Sequence, residues 1–161
     1  MAYTIQTALV GAQGIAQTDT TQNHPLGARI FANDTTYGGA EFVYLKGVAS
    51  TVVGSVVIYD QYAGTSTLAT AGSRGPVAVA MSANVANQYG WYQVSGSAVV
   101  KAAGTVVANT PQYATATAGS TDDAVVSGDK IDGFVAKTAN GTPSTGLLVA
   151  QLSQPSMNGN G

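Results

Sequence analysis

Gln88-Tyr89-Gly90-Trp91-Tyr92-Gln93-Val94-Ser95-Gly96-Ser97-Ala98-Val99-Val100-Lys101 is the stretch whose reading decides the fold. It holds the single tryptophan and two of the eight tyrosines. Aromatic and β-branched residues fit a pleated, half-buried surface, so Trp91 to Val94 reads as strand. Side chains alternate across a strand. Tyr92 and Val94 then share one face, and Trp91, Gln93 and Ser95 the other. Ser95-Gly96-Ser97 permits a bend or bulge, after which Ala98-Val99-Val100 resumes the strand. This strand is expected at the centre of the domain.

On the N-terminal side, Glu41-Phe42-Val43-Tyr44-Leu45-Lys46 is a strong strand, with Phe42 and Tyr44 on one face and Val43 and Leu45 on the other. Arg29 to Ala32 precedes it across a run of turn formers, Asn33 to Gly39, which together make a hairpin with a long loop. Val52 to Tyr59, broken at Gly54, and Pro76 to Met81 are further strands. Small alanines on one face of the latter suit a narrow barrel. Beyond Lys101 come short strands near Val106 and Tyr113, then Ile131 to Ala136 and Leu147 to Leu152. No segment keeps the apolar spacing of a helix. Many short strands between turn signals mean a sandwich or barrel. The expectation is one small all-β domain, a β-barrel of tulip or SH3-like type, over residues 29–152. Its core should contain Phe31, Phe42, Tyr44, Val57, Val79, Val94, Val99, Val135, Leu148 and Val149.

Residues 1–28 carry Ile5, Leu9, Val10 and Ile15 thinly spread among polar residues, with a wholly polar run from Gln17 to His24. Too few apolar groups are present to offset the entropy of ordering. They read as an extended arm that orders on a partner, adding as a strand to an exposed sheet edge. A chain lacking residues 1–24 should then melt almost as the whole chain does. Residues 153–161 read as a disordered Gly/Asn tail.

Charged residues make up only 9 % of the 161, against about 25 % in ordinary soluble domains. The net charge is −2, and the six Lys and Arg are scattered singly. Nucleic-acid binding needs a basic stripe, which the sequence does not supply. No apolar run approaches the roughly 20 residues of a membrane span, so no membrane partner is expected. The start, Met1-Ala2-Tyr3-Thr4-Ile5, lacks the basic and apolar regions of a signal peptide, so synthesis in a cytoplasm is expected. There is no cysteine.

The residues that could carry chemistry are few. His24 is the only histidine; a metal site or a Ser-His pair needs further ligands and a rigid frame, and only Asp19 lies nearby. Asp122, Asp123, Asp129 and Asp132 form an acidic cluster without the alternating ligands and distant Glu of a calcium loop, and read as solvated turn residues. Glu41, the only glutamate, would need an aspartate across the fold to act as a glycosidase pair. The Gly-rich loops at Gly38 and Gly72 do not open a helix with Gly-Lys-Ser/Thr, so they are not phosphate loops. Asn33-Asp34-Thr35 and Asn140-Gly141-Thr142 fit the glycosylation pattern, which means little without a signal peptide. No catalytic residue, cofactor or metal is expected. Tyrosines near strand ends, Tyr37 and Tyr62 among them, combine apolar area with a polar tip and suit an interface.

Three runs carry a family likeness: Leu45-Lys46-Gly47-Val48-Ala49, Gly75-Pro76-Val77-Ala78-Val79-Ala80 and Tyr89-Gly90-Trp91-Tyr92-Gln93-Val94-Ser95-Gly96. With Ala103 to Val107 and Asp132 to Ala136, they make residues 28–152 resemble the capsid decoration, or cement, proteins of tailed bacteriophages. The resemblance implies a β-barrel on the outer surface of the virion head, usually as a homotrimer, with an N-terminal arm lying on the major capsid protein. It carries no catalytic residue with it. Ile5, Leu9, Val10, Ile15, Tyr37 and Tyr62 are then the expected interface residues. A head-fibre, host-attachment or glycan-binding module, stacking sugars on loop tyrosines and Trp91, is the alternative; a buried Trp91 would count against it.

Overall fold

The computed structural model describes residues 4–5 and 11–159. In chain order the strands are β1 (Thr4–Ile5), β2 (Thr18–Asp19), β3 (Arg29–Asp34), β4 (Gly38–Lys46), β5 (Val56–Asp60), β6 (Thr65–Leu68), β7 (Gly75–Ala80), β8 (Tyr89–Lys101), β9 (Pro111–Ala114), β10 (Thr121–Asp122), β11 (Lys130–Ala136) and β12 (Leu147–Met157). No helix occurs among the described residues. All twelve strands join one sheet, antiparallel except where β6 lies parallel to β4 at Lys46 and Thr65.

The quoted stretch is β8, thirteen residues long and bordered by β2, β4, β7 and β12. Its N-terminal half lies between β4 and β7, with Phe42 and Val79 both opposite Gln93. Trp91, Tyr92, Gln93 and Val94 are all buried, so both faces of the strand are covered. The alternation sorts them as expected. Trp91 packs with Ile15, Ile30, Phe42, Tyr44 and Met81. Tyr92 and Val94 pack on the other face with Val43, Leu45, Val57, Tyr59, Ala78 and Ala80. The small alanines of β7 leave room for the two tyrosine rings, because a close-packed interior needs volumes that complement one another.

At Gly96 the strand changes direction. Its backbone is left-handed, φ 88°, and an added Cβ would lie 2.5 Å from the Gly39 carbonyl oxygen. The β4 register shifts at the same place, between Glu41 and Phe42. Gln93, buried and polar, braces the bend by donating from Nε2 to the Ser95 and Ser97 carbonyls at 3.0 and 2.9 Å. Beyond it, residues 95–101 pair with β12. Ala98 and Val100 enter a third cluster with Val56, Val77, Val79, Ile131, Phe134, Leu148, Ala150, Leu152 and Met157.

Four sequence expectations are corrected. Phe31 is 57 % exposed, because β3 turns Ile30, Ala32 and Asp34 inward and Arg29, Phe31 and Asn33 outward. Val135 is half-buried: the β11 register shifts between Asp132 and Phe134, and Ile131, Phe134 and Ala136 take the inner face. Val149 is half-buried because Leu148, Ala150 and Leu152 are its inward neighbours. Residues 153–157 belong to β12 rather than to a tail. After Gln154, at φ 46°, the strand crosses to β7, where Ser156 lies opposite Pro76 and Met157 opposite Gly75.

Phe42→Ala removes a fully buried ring and should cost about 3–5 kcal/mol. Phe31→Ala should cost under about 1 kcal/mol, as exposed positions usually do. Denaturant titration of both variants measures the difference; equal losses would show that the phase of β3 is the reverse of the one described.

Candidate functional site

The expected interface residues that the structure describes lie apart from one another. Ile5 lies in β1, paired with Ala32 on the outer side of β3. Leu9 and Val10 lie outside the described residues. Ile15 is buried beside Trp91, where it is not open to a partner. Tyr37 is half-buried in the β3–β4 turn, its N–H donating to Asp34 Oδ1 at 2.9 Å. Tyr62 stands fully in water, at the tip of the β5–β6 hairpin.

The burial of Ile15 belongs to a larger arrangement. The Trp91 indole N–H must find an acceptor once the ring is buried. It donates to the Gln13 carbonyl at 2.9 Å. The Gln13 side chain is just as engaged. Its Oε1 accepts from the Tyr44 hydroxyl at 2.9 Å and from Asn23 Nδ2 at 3.2 Å, and its Nε2 donates to the Gln17 and Tyr89 carbonyls. The Gln13 N–H donates to His24 Nε2 at 3.0 Å, so that nitrogen serves as an acceptor. The imidazole lies 5.0 Å from the Tyr44 ring centre and 5.4 Å from that of Trp91. Residues 11–28 therefore form part of the folded body, and β2 within them pairs with β8. This corrects the expectation of an arm ordered only on a partner, at least from Gly11 onward.

His24 is accordingly a packing and hydrogen-bonding residue; among the described residues no carboxylate or hydroxyl bonds its ring. Glu41 pairs with Arg29 at 2.9 Å and accepts from Gln154 Nε2, while Arg29 also donates to the Tyr59 hydroxyl. The aspartates hold loops. Asp129 accepts from Gly72 N at 2.6 Å, Asp123 from Val107 N at 2.8 Å, and Asp132 pairs with Lys130 at 3.3 Å. Burial pushes the Asp122 carboxyl above its ordinary range. Among the described residues, no three His, Asp or Glu side chains come together to hold a metal ion.

Two depressions stand out among the described residues. A cleft of about 540 Å³ opens beside Tyr62, lined by β5, β6, the start of β7 and Arg74. A smaller groove of about 270 Å³ lies beside Phe31 and Ser95. Tyr62 is visible in the sequence as a loop aromatic. Arg74 is not, since it is a single arginine in a Gly/Ser loop. Gln13 gives no signal at all, being one glutamine between Ala12 and Gly14. Comparison with protein-family models, with curated proteins and with solved structures finds no match.

Deleting residues 1–24 should lower the melting temperature and shift Trp91 emission to the red, because the indole and the Tyr44 hydroxyl lose their partners. Unchanged melting and emission would make the segment dispensable after all. A second outcome concerns alkali. The Tyr92 hydroxyl accepts from Asn84 Nδ2 at 3.1 Å and lies 3.3 Å from Ser66 Oγ. Burial raises its pKa above the ordinary 10.0. A raised value favours the neutral phenol in the folded state, so its contribution is complete below about pH 10 and is lost as pH rises through the folded value. Denaturation followed between neutral and strongly alkaline pH should show stability falling in that window, and Tyr92→Phe should flatten the fall.

Proposed function

We propose that this chain is a structural virion protein that decorates the outside of a tailed-bacteriophage capsid and bridges neighbouring major capsid proteins, without catalysis. In this reading the strands close into a small barrel of tulip or SH3-like type, and the working unit is a homotrimer. The observation that carries it is the distribution of exposed apolar side chains on a nearly uncharged, tightly braced body. Phe31 and Tyr62 emerge from the half that holds Trp91 and Tyr92. Val107, Val125 and Val126 emerge from the loops of the other half, where β9, β10 and β11 lie. Contiguous exposed apolar groups mark contact surfaces, whereas single ones are ordinary; the adjacent pairs Val52–Val53 and Val125–Val126 are the runs of that kind here. A bridging protein needs more than one such surface, and weak contacts repeated over three subunits add through high effective concentration. Low charge leaves little repulsion to oppose association.

The N-terminal contact expected of such a protein falls, in this reading, to the residues before Gly11, since Ile15 is committed to the core. A host-attachment or glycan-binding role gains support at one place, the Tyr62 cleft, and loses it at Trp91, which is buried.

Purified chain added to expanded phage heads that lack it should raise the temperature at which they rupture. Electron cryomicroscopy should then place it on the outer face at positions of threefold symmetry. Density on the tail, or heads that neither bind the chain nor gain heat resistance, would end this reading.

A further inference from the structure

The turn from Asp60 to Gly64 is held by its own backbone. Asp60 Oδ1 accepts the N–H groups of Tyr62 at 2.8 Å and Ala63 at 3.0 Å. Gly64 N donates to the Asp60 carbonyl at 2.8 Å, and Lys46 N to the Gly64 carbonyl at 2.9 Å. Tyr62 is thus presented on an ordered loop while its ring lies entirely in water. No other ring packs on it among the described residues. An aromatic so placed adds nothing to the core. A rigid ring needs little further ordering on binding, which is why tyrosine recurs in binding loops.

The cleft beside it is built from three adjacent strands. Ile58 and Asp60 of β5 lie opposite Thr67 and Thr65 of β6. Thr65 and Thr67 point outward, since Ser66 between them is buried. Gly75 and Pro76 of β7 floor the other side, and Arg74 closes it. Arg74 Nη1 donates to the Ser73 carbonyl at 2.6 Å. Its guanidinium forms no salt bridge among the described residues. The cleft therefore combines one exposed aromatic face, a narrow apolar floor, two hydroxyls, a carboxylate and a cation. Its volume of about 540 Å³ falls in the usual range of ligand clefts, about 300–1,000 Å³.

We propose that this cleft binds a saccharide. A sugar ring has a face of C–H groups and a rim of hydroxyls. The C–H face suits the electron-rich face of Tyr62 and the apolar floor at Ile58. The rim hydroxyls meet Thr65, Thr67 and Asp60, which supply both donors and acceptors. Arg74 presents a planar fork of donors that matches a sugar carboxylate better than a lone hydroxyl, so an acidic sugar is favoured over a neutral one. An apolar peptide or lipid would leave these polar groups without partners. The inference rests on the cleft; where it holds, Tyr62 serves the sugar and the capsid contact of this half falls to Phe31.

Isotope-labelled protein titrated with sialyllactose, with tri-galacturonate and with maltotriose at millimolar concentrations tests it. At least one acidic probe should move the amide signals of residues 58–67 and 74–76. Tyr62→Ala should weaken that binding about ten-fold, as loss of an anchoring aromatic does, with an unchanged melting temperature. Arg74→Ala should weaken the acidic probes more than maltotriose, and Phe31→Ala, an aromatic exposed elsewhere, should change nothing. Absence of shifts with all three probes, shifts confined to other surfaces, or full binding by Tyr62→Ala would overturn the proposal.

Discussion

A strand buried on both faces has nowhere to hide a polar atom. β8 carries Trp91, Tyr92 and Gln93 in succession, all fully buried, and each brings a group that must be hydrogen-bonded. The surrounding structure supplies each partner from a different part of the chain. The Trp91 indole needs Gln13, the Tyr92 hydroxyl needs Ser66 and Asn84, and the Gln93 amide needs the carbonyls of the bend that follows it. Leaving one such group unmet costs about 1–3 kcal/mol. The demand of the indole N–H ties residues 11–28 to the body, and the demand of the amide stabilises the bend at Gly96. Much of what looks like separate architecture follows from satisfying three consecutive side chains.

The two long strands also explain how one sheet encloses three apolar clusters. β8 bends at Gly96 and β12 at Gln154, so each serves two sets of neighbours. β7 pairs with both. Its valines face one cluster and its alanines another. The clasp of Arg29, Glu41, Gln154 and Tyr59 then joins β3, β4, β12 and β5 on the outside.

The strands and their facing were largely legible where aromatic and β-branched residues alternate cleanly, as in β4 and β8. The phase of β3 was not, because Ile30 and Phe31 are both apolar and the larger side chain was assigned to the core. The charge pattern held the answer: Arg29 reaches Glu41 across the outer face, and Phe31 shares that face. The segment around Gln13 was misread for a different reason. Its apolar content is low, and its stability comes from hydrogen bonds to residues as far away as Trp91, which no local pattern records. The C-terminal strand was hidden by Gly and Asn that lie just beyond Met157. Of the cleft, Tyr62 could be picked out as an interface residue, whereas Arg74 becomes meaningful only once β7 is laid beside β5.

The division of β8 at Gly96 has a consequence for how the chain comes into being. The half before the bend finds its neighbours in segments made earlier, Gln13, β4 and β7. The half after it pairs with β12, which is synthesised later. A nascent chain can thus enclose Trp91 while Ala98 to Val100 still lack the strand that covers them. Pairing of distant segments is slow, because the loop must close before any contact rewards it. An uncovered strand edge is also where chains associate wrongly. The vulnerable period of this protein therefore falls between synthesis of β8 and arrival of β12.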